Sequence, residues 1–459
     1  MRQPSNLIYG LEDRPPLSVL AALSIQHIFL MSSTLVLPIA LVTEIGGSLA
    51  EVQATVAMTM VACGIGTIIQ AARWHGIGSG YLCPNLCGPN FFSASIGAAW
   101  LGGLPLMRGM TIVAGLVEVV FGRVAHRLAF LFPTEITGLV VFMVAFNLVP
   151  LGTSKFLGVN YAGDPIQPKT LAIAALTLFV MVGINVWGSK QLKLYAILIG
   201  LVIGFGLSLG FGVLTGADLR SVADAHWIGL PSYDGMWSYS FRWSLVPIFV
   251  IVSICGALKS FGNLVLCEKA NDSDWKQPDV NRIGDGLVAD GLAVVASGVL
   301  GGVASDTSAS NVALSIASGA TSRSIALAAG GLFCLLGLSP KLTALLAIMP
   351  SAVAGAILVL VVCFMMISGI QIILSAKMDT PRTFVIGIAL IFGMSLDVLP
   401  ELYSHIYSWM RPLVESSLTL STVLAVGVNQ LLRIDWKQPK EATNDAAAAT
   451  APSLDEHYA

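Results

Sequence analysis

Apolar stretches long enough to cross a bilayer recur along almost the whole chain, and they restrict its fold more than any other feature. About 20 predominantly apolar residues span a hydrocarbon core as a helix. Such runs occupy 17–42, 50–72, 107–131, 135–153, 169–187, 192–215, 243–267, 284–303, 324–347, 350–376, 381–397 and 414–433. In lipid only helices and closed barrels satisfy every backbone N–H and C=O. The runs lack the short length and strict alternation of barrel strands, so the sequence predicts an all-α, polytopic membrane protein. Composition agrees: 11% of residues are charged and 55% apolar, against roughly 25% charged in a soluble domain. Soluble-enzyme readings are set aside, and the expected surroundings are a lipid bilayer and a small-molecule ligand, with no nucleic acid.

Two shorter apolar segments, 89–102 and 308–320, have half-helix length, which brings the expected total to fourteen. An even count returns both ends to one side. Sixteen Lys and Arg then fall on the side of the termini and seven on the other, with Lys259 left inside a run. Positive charge favours the cytoplasmic side, so the termini are read as cytoplasmic and the membrane as the inner (plasma) membrane. The polar start MRQPSNLIYGLEDRPP (1–16) has no apolar stretch followed by a cleavage site and reads as a retained cytoplasmic leader. The Ala-rich, acidic segment 434–459 reads as a disordered tail. Trp227, Trp237 and Trp243 mark the interface around an extracytoplasmic loop, 217–242. Cys83 and Cys87 have no matching His or Cys pair, so no metal and no cofactor is expected.

The half-length segments are third and tenth in order, and each follows a Gly-rich irregular stretch: GIGSGYLCPNLCGPNFF (76–92) and GVLGGVASDTSASNVA (298–313). Irregular backbone at membrane depth has to line protein or a watery cavity. Paired interruptions at corresponding places in two halves point to the binding site of a secondary transporter. A second pointer is Lys259, near the middle of SLVPIFVIVSICGALKSFGNLVLC. An ammonium at the bilayer centre costs about 2.5–3.5 kcal/mol on insertion scales, so it is normally paired, solvated or functional.

Several motifs carry a resemblance. LSIQHIFLMSSTLVLP (23–38) resembles the Gln-His motif in the first span of the nucleobase–ascorbate transporter family, which holds uracil, xanthine and urate permeases. NRIGDGLVADGLAVVASGVLGG (281–302), SNVALSIASGATSR (310–323) and GLSPKLTALLAIMPSAVAGAILVL (337–360) resemble its ninth to twelfth spans in order. The resemblance implies fourteen spans in a 7+7 inverted repeat. A core domain comes from 17–132 and 243–348, a gate domain from 133–216 and 349–433. It also implies elevator-like alternating access, H+ as coupling ion and a homodimer.

The chain departs from that family at the site. Where the family's eighth span presents a Glu in a V-E-x-x-G-D pattern, this chain has Lys259, and Asn263 stands at the Asp position. In the tenth span the family's Gln or Glu before Asn is Ser310 before Asn311, and the later Thr is Ser318. The small hydroxyl residue five positions before that Asn is replaced by Asp306. An acid is lost, a base takes its place and a new acid appears opposite, so Lys259 and Asp306 are expected to pair near the substrate. Asp306 also suits a helix N-cap, as do Ser308 and Ser310. Gln26 and His27 match the first-span motif, His27 as a helix-to-helix tie or a proton relay. Phe91 matches the family aromatic after the third-span Gly-Ser, placed to stack on a planar ring or to pack. Glu118 is a further intramembrane acid. Asp290 reads as structural, and Glu135 and Asp397 as interfacial.

The candidate substrate contacts are therefore Lys259, Phe91, Asp306, Ser308, Ser310, Asn311, Gln26 and His27, with Asp306, His27 and Glu118 as candidates for proton coupling. An ammonium donates hydrogen bonds and accepts none, which favours an oxidised purine such as xanthine or urate over neutral uracil. The alternative is a carrier of small organic or inorganic anions on the same fold. A membrane enzyme is disfavoured, because no metal-spaced cluster, Gly-x-Ser-x-Gly elbow or phosphate-binding loop occurs.

Overall fold

A computed structural model of the chain describes residues 3–4, 7–128, 133–159, 164–189, 192–193, 195–229, 232–233, 235–276, 278–375, 378–403 and 417–433. The tail read at 434–459 lies outside these. The first apolar run forms α1 (Leu17–Ser32) and α2 (Val36–Glu44), separated by a three-residue turn, and the second forms α3 (Leu49–Ala72). Ser48 and Glu51 close a capping box that starts α3. The Gly-rich stretch then carries a short strand, β1 (Asn85–Cys87), and leads into α4 (Phe92–Leu128). Within α4, Gly102 and Gly103 leave the helical region, the latter at φ 69°, so the expected half-helix and the run after it are two helical pieces joined at a kink.

The chain continues through α5 (Thr134–Leu157), α6 (Pro168–Trp187), α7 (Ala196–Gly210) and a short polar α8 (Gly216–Asp224). Then follow α9 (Val246–Asn271), which carries Lys259, α10 (Val280–Leu300), β2 (Ser305–Thr307) and the ten-residue α11 (Ala309–Ser318). The run at 324–347 is bent by 78° between α12 (Arg323–Gly337) and α13 (Pro340–Ala347). Pro340 at the start of α13 cannot continue the hydrogen-bond ladder of α12. The last helices are α14 (Ser351–Ser375), α15 (Thr380–Val398) and α16 (Ser417–Arg433).

Among the described residues nine helices are long and apolar enough to cross a membrane, or ten if the bent pair is one span. That is fewer than the twelve full-length runs expected. The shortfall comes from α7, with 15 residues, α16, with 17, and the bend that divides the run at 324–347. Large apolar side chains stand exposed on outer faces, among them Phe179 and Val186 on α6, Phe364 and Leu374 on α14, and Ile391 on α15, as lipid contact requires.

Small residues let the inner helices approach closely. Gly115 and Gly291 lie where α4 meets α10, and a Cβ on Gly291 would sit 2.6 Å from the backbone N of Val119. The same device joins α5 to α14, where a Cβ on Gly369 would sit 2.6 Å from the backbone N of Phe142. Residues 8–13 of the leader fold back onto the end of α11: Tyr9 N donates to Gly319 O (3.0 Å) and Tyr9 O accepts from Thr321 N (2.8 Å).

Candidate functional site

The two interruptions meet. β1 and β2 pair antiparallel, with Asn85 opposite Thr307, Leu86 opposite Asp306 and Cys87 opposite Ser305. Flanking bonds extend the ladder: Gly88 N donates to Ala304 O (2.8 Å) and Ser308 N to Pro84 O (2.9 Å). In this way backbone that has left its helices is hydrogen-bonded at membrane depth. Gly88 is required beside the ladder, because a Cβ there would lie 2.8 Å from the Cβ of Asp306.

Each strand delivers a helix start. The cap of α11 is Ser308, whose Oγ accepts from Asn311 N (3.2 Å), which leaves the Asp306 carboxylate free for other partners. Asp306 Oδ2 lies 2.7 Å from Lys259 Nζ, with Asp306 buried and 12% of the Lys259 side chain exposed. The same oxygen accepts from Asn90 Nδ2. The other, Oδ1, is 3.1 Å from Ser260 Oγ. Ser260 also contacts Asp290 Oδ2 and, at 2.7 Å, Thr307 Oγ1. Asn263 Nδ2 donates to Thr307 Oγ1 (2.9 Å), and Asn85 Nδ2 to Asp290 Oδ1 (2.6 Å). Asn263 is four residues from Lys259 and three from Ser260, so all three side chains project from one side of α9.

The remaining expected residues divide. His27 Nδ1 is 2.7 Å from Asn311 Oδ1, and Asn311 Nδ2 donates to Ser308 Oγ (2.8 Å), so α1 is tied to the cap of α11. Phe91 is fully buried against α9, where a Cβ on Gly256 would come within 3.1 Å of its Cζ. Ser310 is exposed in the first turn of α11, 3.3 Å from the Ser308 hydroxyl. Ser318 lies at the opposite end of α11 and bonds to Ser315 O, away from the Lys259 group. Gln26 is half-buried on α1 and makes no hydrogen bond to the described residues of this network. Glu118 is buried on α4, and neither carboxyl oxygen has a hydrogen-bond partner among the described residues. Glu135 pairs with Arg382 at 3.0 Å, joining α5 to α15, and Asp397 is exposed near the end of α15.

Sequence reasoning missed Asn85, Asn90, Ser260 and Thr307. A buried amide or hydroxyl in a Gly-rich break looks like any turn residue; the available signal was the position of Ser260 next to Lys259 and of both Asn residues inside the first interruption. Chemically, Asp306 is saturated by three donors, while Lys259 uses one of its three N–H bonds on it. The group therefore has spare N–H donors on Lys259 to offer a ligand. Two of its amide acceptors, Asn85 Oδ1 and Asn90 Oδ1, are buried without a partner among the described residues. No three His, Cys, Asp or Glu side chains among the described residues come together as a metal site.

A family model described as "Permease family", of xanthine and uracil permease type, matches residues 19–402. A putative purine permease of Clostridium perfringens is 24% identical over 434 residues, covering 93% of this chain and 93% of that one. The xanthine permease XanP of Escherichia coli is 24% identical over 442 residues, covering 93% and 95%. Among solved structures, the transmembrane domain of the cyanobacterial bicarbonate transporter BicA aligns with a TM-score of 0.51 at 15% identity, over 88% of this chain and 97% of that one. The murine anion transporter Slc26a9 in its inward-facing state aligns with a TM-score of 0.56 at 9% identity, over 92% and 69%. At those identities the structural likenesses speak for the fold alone.

Proposed function

The chain belongs to the nucleobase–ascorbate transporter family of xanthine and uracil permeases, and from that premise we propose that it carries an oxidised purine, xanthine or urate, across the inner membrane. It is a membrane permease and not an enzyme. The observation that carries the substrate reading is the Lys259–Asp306 pair at the junction of the two interrupted helices. A ligand there meets an ammonium with spare donors, the exposed first turn of α11 and the Ser310 hydroxyl. Oxo groups and a delocalised negative charge suit that surface better than the ring N–H groups of a neutral base.

Packing supports a 7+7 inverted repeat of fourteen segments with core and gate domains. Contacts recur after a shift of seven segments: α4 with α10 has its counterpart in α3 with α12, α9 with α4 in α1 with α12, and α6 with α7 in α15 with α16. The most extensive contacts also stay inside the assigned groups, 17–132 with 243–348 and 133–216 with 349–433. In this reading the core carries substrate past the gate in an elevator-like motion, the termini are cytoplasmic and the protein is a homodimer. Coupling is to H+ through Asp306, His27 or Glu118.

Thermal stabilisation of the purified protein tests the substrate class, because a ligand that binds only the folded state raises its stability, by about 2.7 kcal/mol at a hundredfold excess over Kd. Urate and xanthine are expected to stabilise wild type and to lose that effect in Lys259→Gln. Stabilisation by small carboxylates or inorganic anions alone transfers the assignment to an anion carrier, and stabilisation by uracil unaffected by the substitution removes Lys259 from the site.

A further inference from the structure

We propose that Asp290 holds a proton in the resting protein and that Ser260 relays it to Asp306, which releases Lys259 for the substrate. The argument is a count of hydrogens. Ser260 Oγ lies within hydrogen-bond reach of three oxygens: Asp290 Oδ2, Asp306 Oδ1 at 3.1 Å and Thr307 Oγ1 at 2.7 Å. A serine hydroxyl brings one hydrogen and two lone pairs. Thr307 Oγ1 already accepts from Asn263 Nδ2 at 2.9 Å, and whichever hydroxyl donates between Thr307 and Ser260, Ser260 keeps at most one hydrogen for the two carboxyl groups. If both were ionised, one of its contacts would set lone pair against lone pair in a site closed to solvent, a costly arrangement in a low-dielectric interior. One carboxyl therefore carries a proton and donates it to Ser260.

The partners decide which. Asp306 faces the Lys259 ammonium at 2.7 Å and receives the Asn90 amide on the same oxygen. Asp290 receives one amide, from Asn85, and among the described residues no cationic side chain is in hydrogen-bond contact with it. Its charged and titratable neighbours are Lys259 on α9, Asp306 on β2, Glu118 on α4 and the thiols of Cys63 on α3 and Cys83 ahead of β1. The ionised carboxylate is thus Asp306, and the acid is Asp290. The chain runs Asp290 O–H to Ser260 O–H to Asp306 to Lys259. One shift along it moves the Asp290 hydrogen to Ser260 Oγ and the Ser260 hydrogen to Asp306 Oδ1. No charge is created: Asp290 becomes the anion and Asp306 neutral. Lys259 loses its counter-charge at the moment an anionic or oxo-rich ligand is available to replace it.

Infrared spectroscopy of the purified, substrate-free protein tests the assignment. The expected result is a protonated-carboxyl band at neutral pH that shifts when aspartate carries heavy carbon at its side-chain carboxyl, is lost in Asp290→Asn, shifts in Ser260→Ala and persists in Asp306→Asn. The isotope arm uses the wild-type sequence, so it stands even where a substitution fails to fold. The absence of any aspartate-dependent band, or an aspartate-dependent band that survives Asp290→Asn in folded protein, overturns the proposal; a band from the buried Glu118 carboxyl is insensitive to the aspartate label and is told apart by it. The release of Lys259 rests on the nucleobase reading and is read separately: Ser260→Ala flattens the pH dependence of ligand-induced stabilisation. The band is recorded without ligand, so failure of nucleobase binding leaves the proton assignment intact.

Discussion

Breaking the Lys259–Asp306 pair from one side should cost far more than removing it whole. The contact is 2.7 Å, Asp306 is 1% exposed and Lys259 12%, so little solvent reaches the charge that remains. Truncating one partner of a buried pair typically destabilises by about 3–5 kcal/mol, whereas replacing both by apolar groups of similar volume is often neutral or favourable. We expect Lys259→Met and Asp306→Leu each to fall in that range and the double variant to recover most of the loss. Lys259→Met leaves a carboxylate with Asn90 and Ser260 still bonded to it, so it should be the milder single change. Chemical unfolding in detergent, run as a double-mutant cycle, reads the coupling. The coupling should also be insensitive to salt: the Debye length falls from roughly 10 Å at 0.1 M to 3 Å at 1 M, but the screening acts on solvent-exposed charges and far less on a buried pair. Additive single-variant losses, or a coupling that vanishes in salt, refute the buried pair.

Gly256→Ala places a Cβ 3.1 Å from Phe91 Cζ; it should weaken ligand-induced stabilisation while leaving the melting temperature of free protein within a few degrees, measured by the same thermal assay. Gly291→Ala drives a Cβ to 2.6 Å from the Val119 backbone and should destabilise by about 1–3 kcal/mol as overpacking does, seen as a lower unfolding midpoint. In the leader, Tyr9→Pro removes the donor to Gly319 O and should cost on the order of 1 kcal/mol or more. Glu12→Gln, by contrast, removes an ion pair to Arg323 that is exposed on both sides and should change stability by less than about 1 kcal/mol.

The membrane class, the helical architecture and the two interrupted segments were legible because they rest on run length and on glycine, which act locally. The bend at Ser339–Pro340 was visible as a Pro after Gly-Leu-Ser, yet the apolar run reads straight through it, since hydropathy carries no angle. α7 is shorter than its run because Gly210 and Gly212, the latter at φ 70°, end the helix early. The register of β1 on β2 was not legible at all: three-residue strands have no periodicity to read, and their pairing is set by how α3, α9 and α10 hold the two breaks together. Lys259 stood out because a charge in an apolar run is rare. Asn90 and Ser260 did not, because their importance lies in what they touch across 216 and 30 residues of sequence.

The exchange of acid for base can be tested by reversing it, and the geometry dictates that both positions change together. Lys259→Glu alone sets a second carboxylate beside Asp306, which already faces Asp290 through Ser260. Like charges at that distance force one group to take a proton, so the single variant gains an acid without gaining a free anionic acceptor. Lys259→Glu with Asp306→Ser removes the crowding, keeps a hydroxyl within the β1–β2 ladder and leaves one carboxylate to accept from the ring N–H groups of a base. The double variant should be stabilised by neutral xanthine or uracil at neutral pH, whereas the single variant should respond only as pH rises and its second carboxyl ionises. Equal responses in the two variants would mean that Asp306 does not face the ligand, and that Lys259 and Asp306 hold the fold together without selecting what it carries.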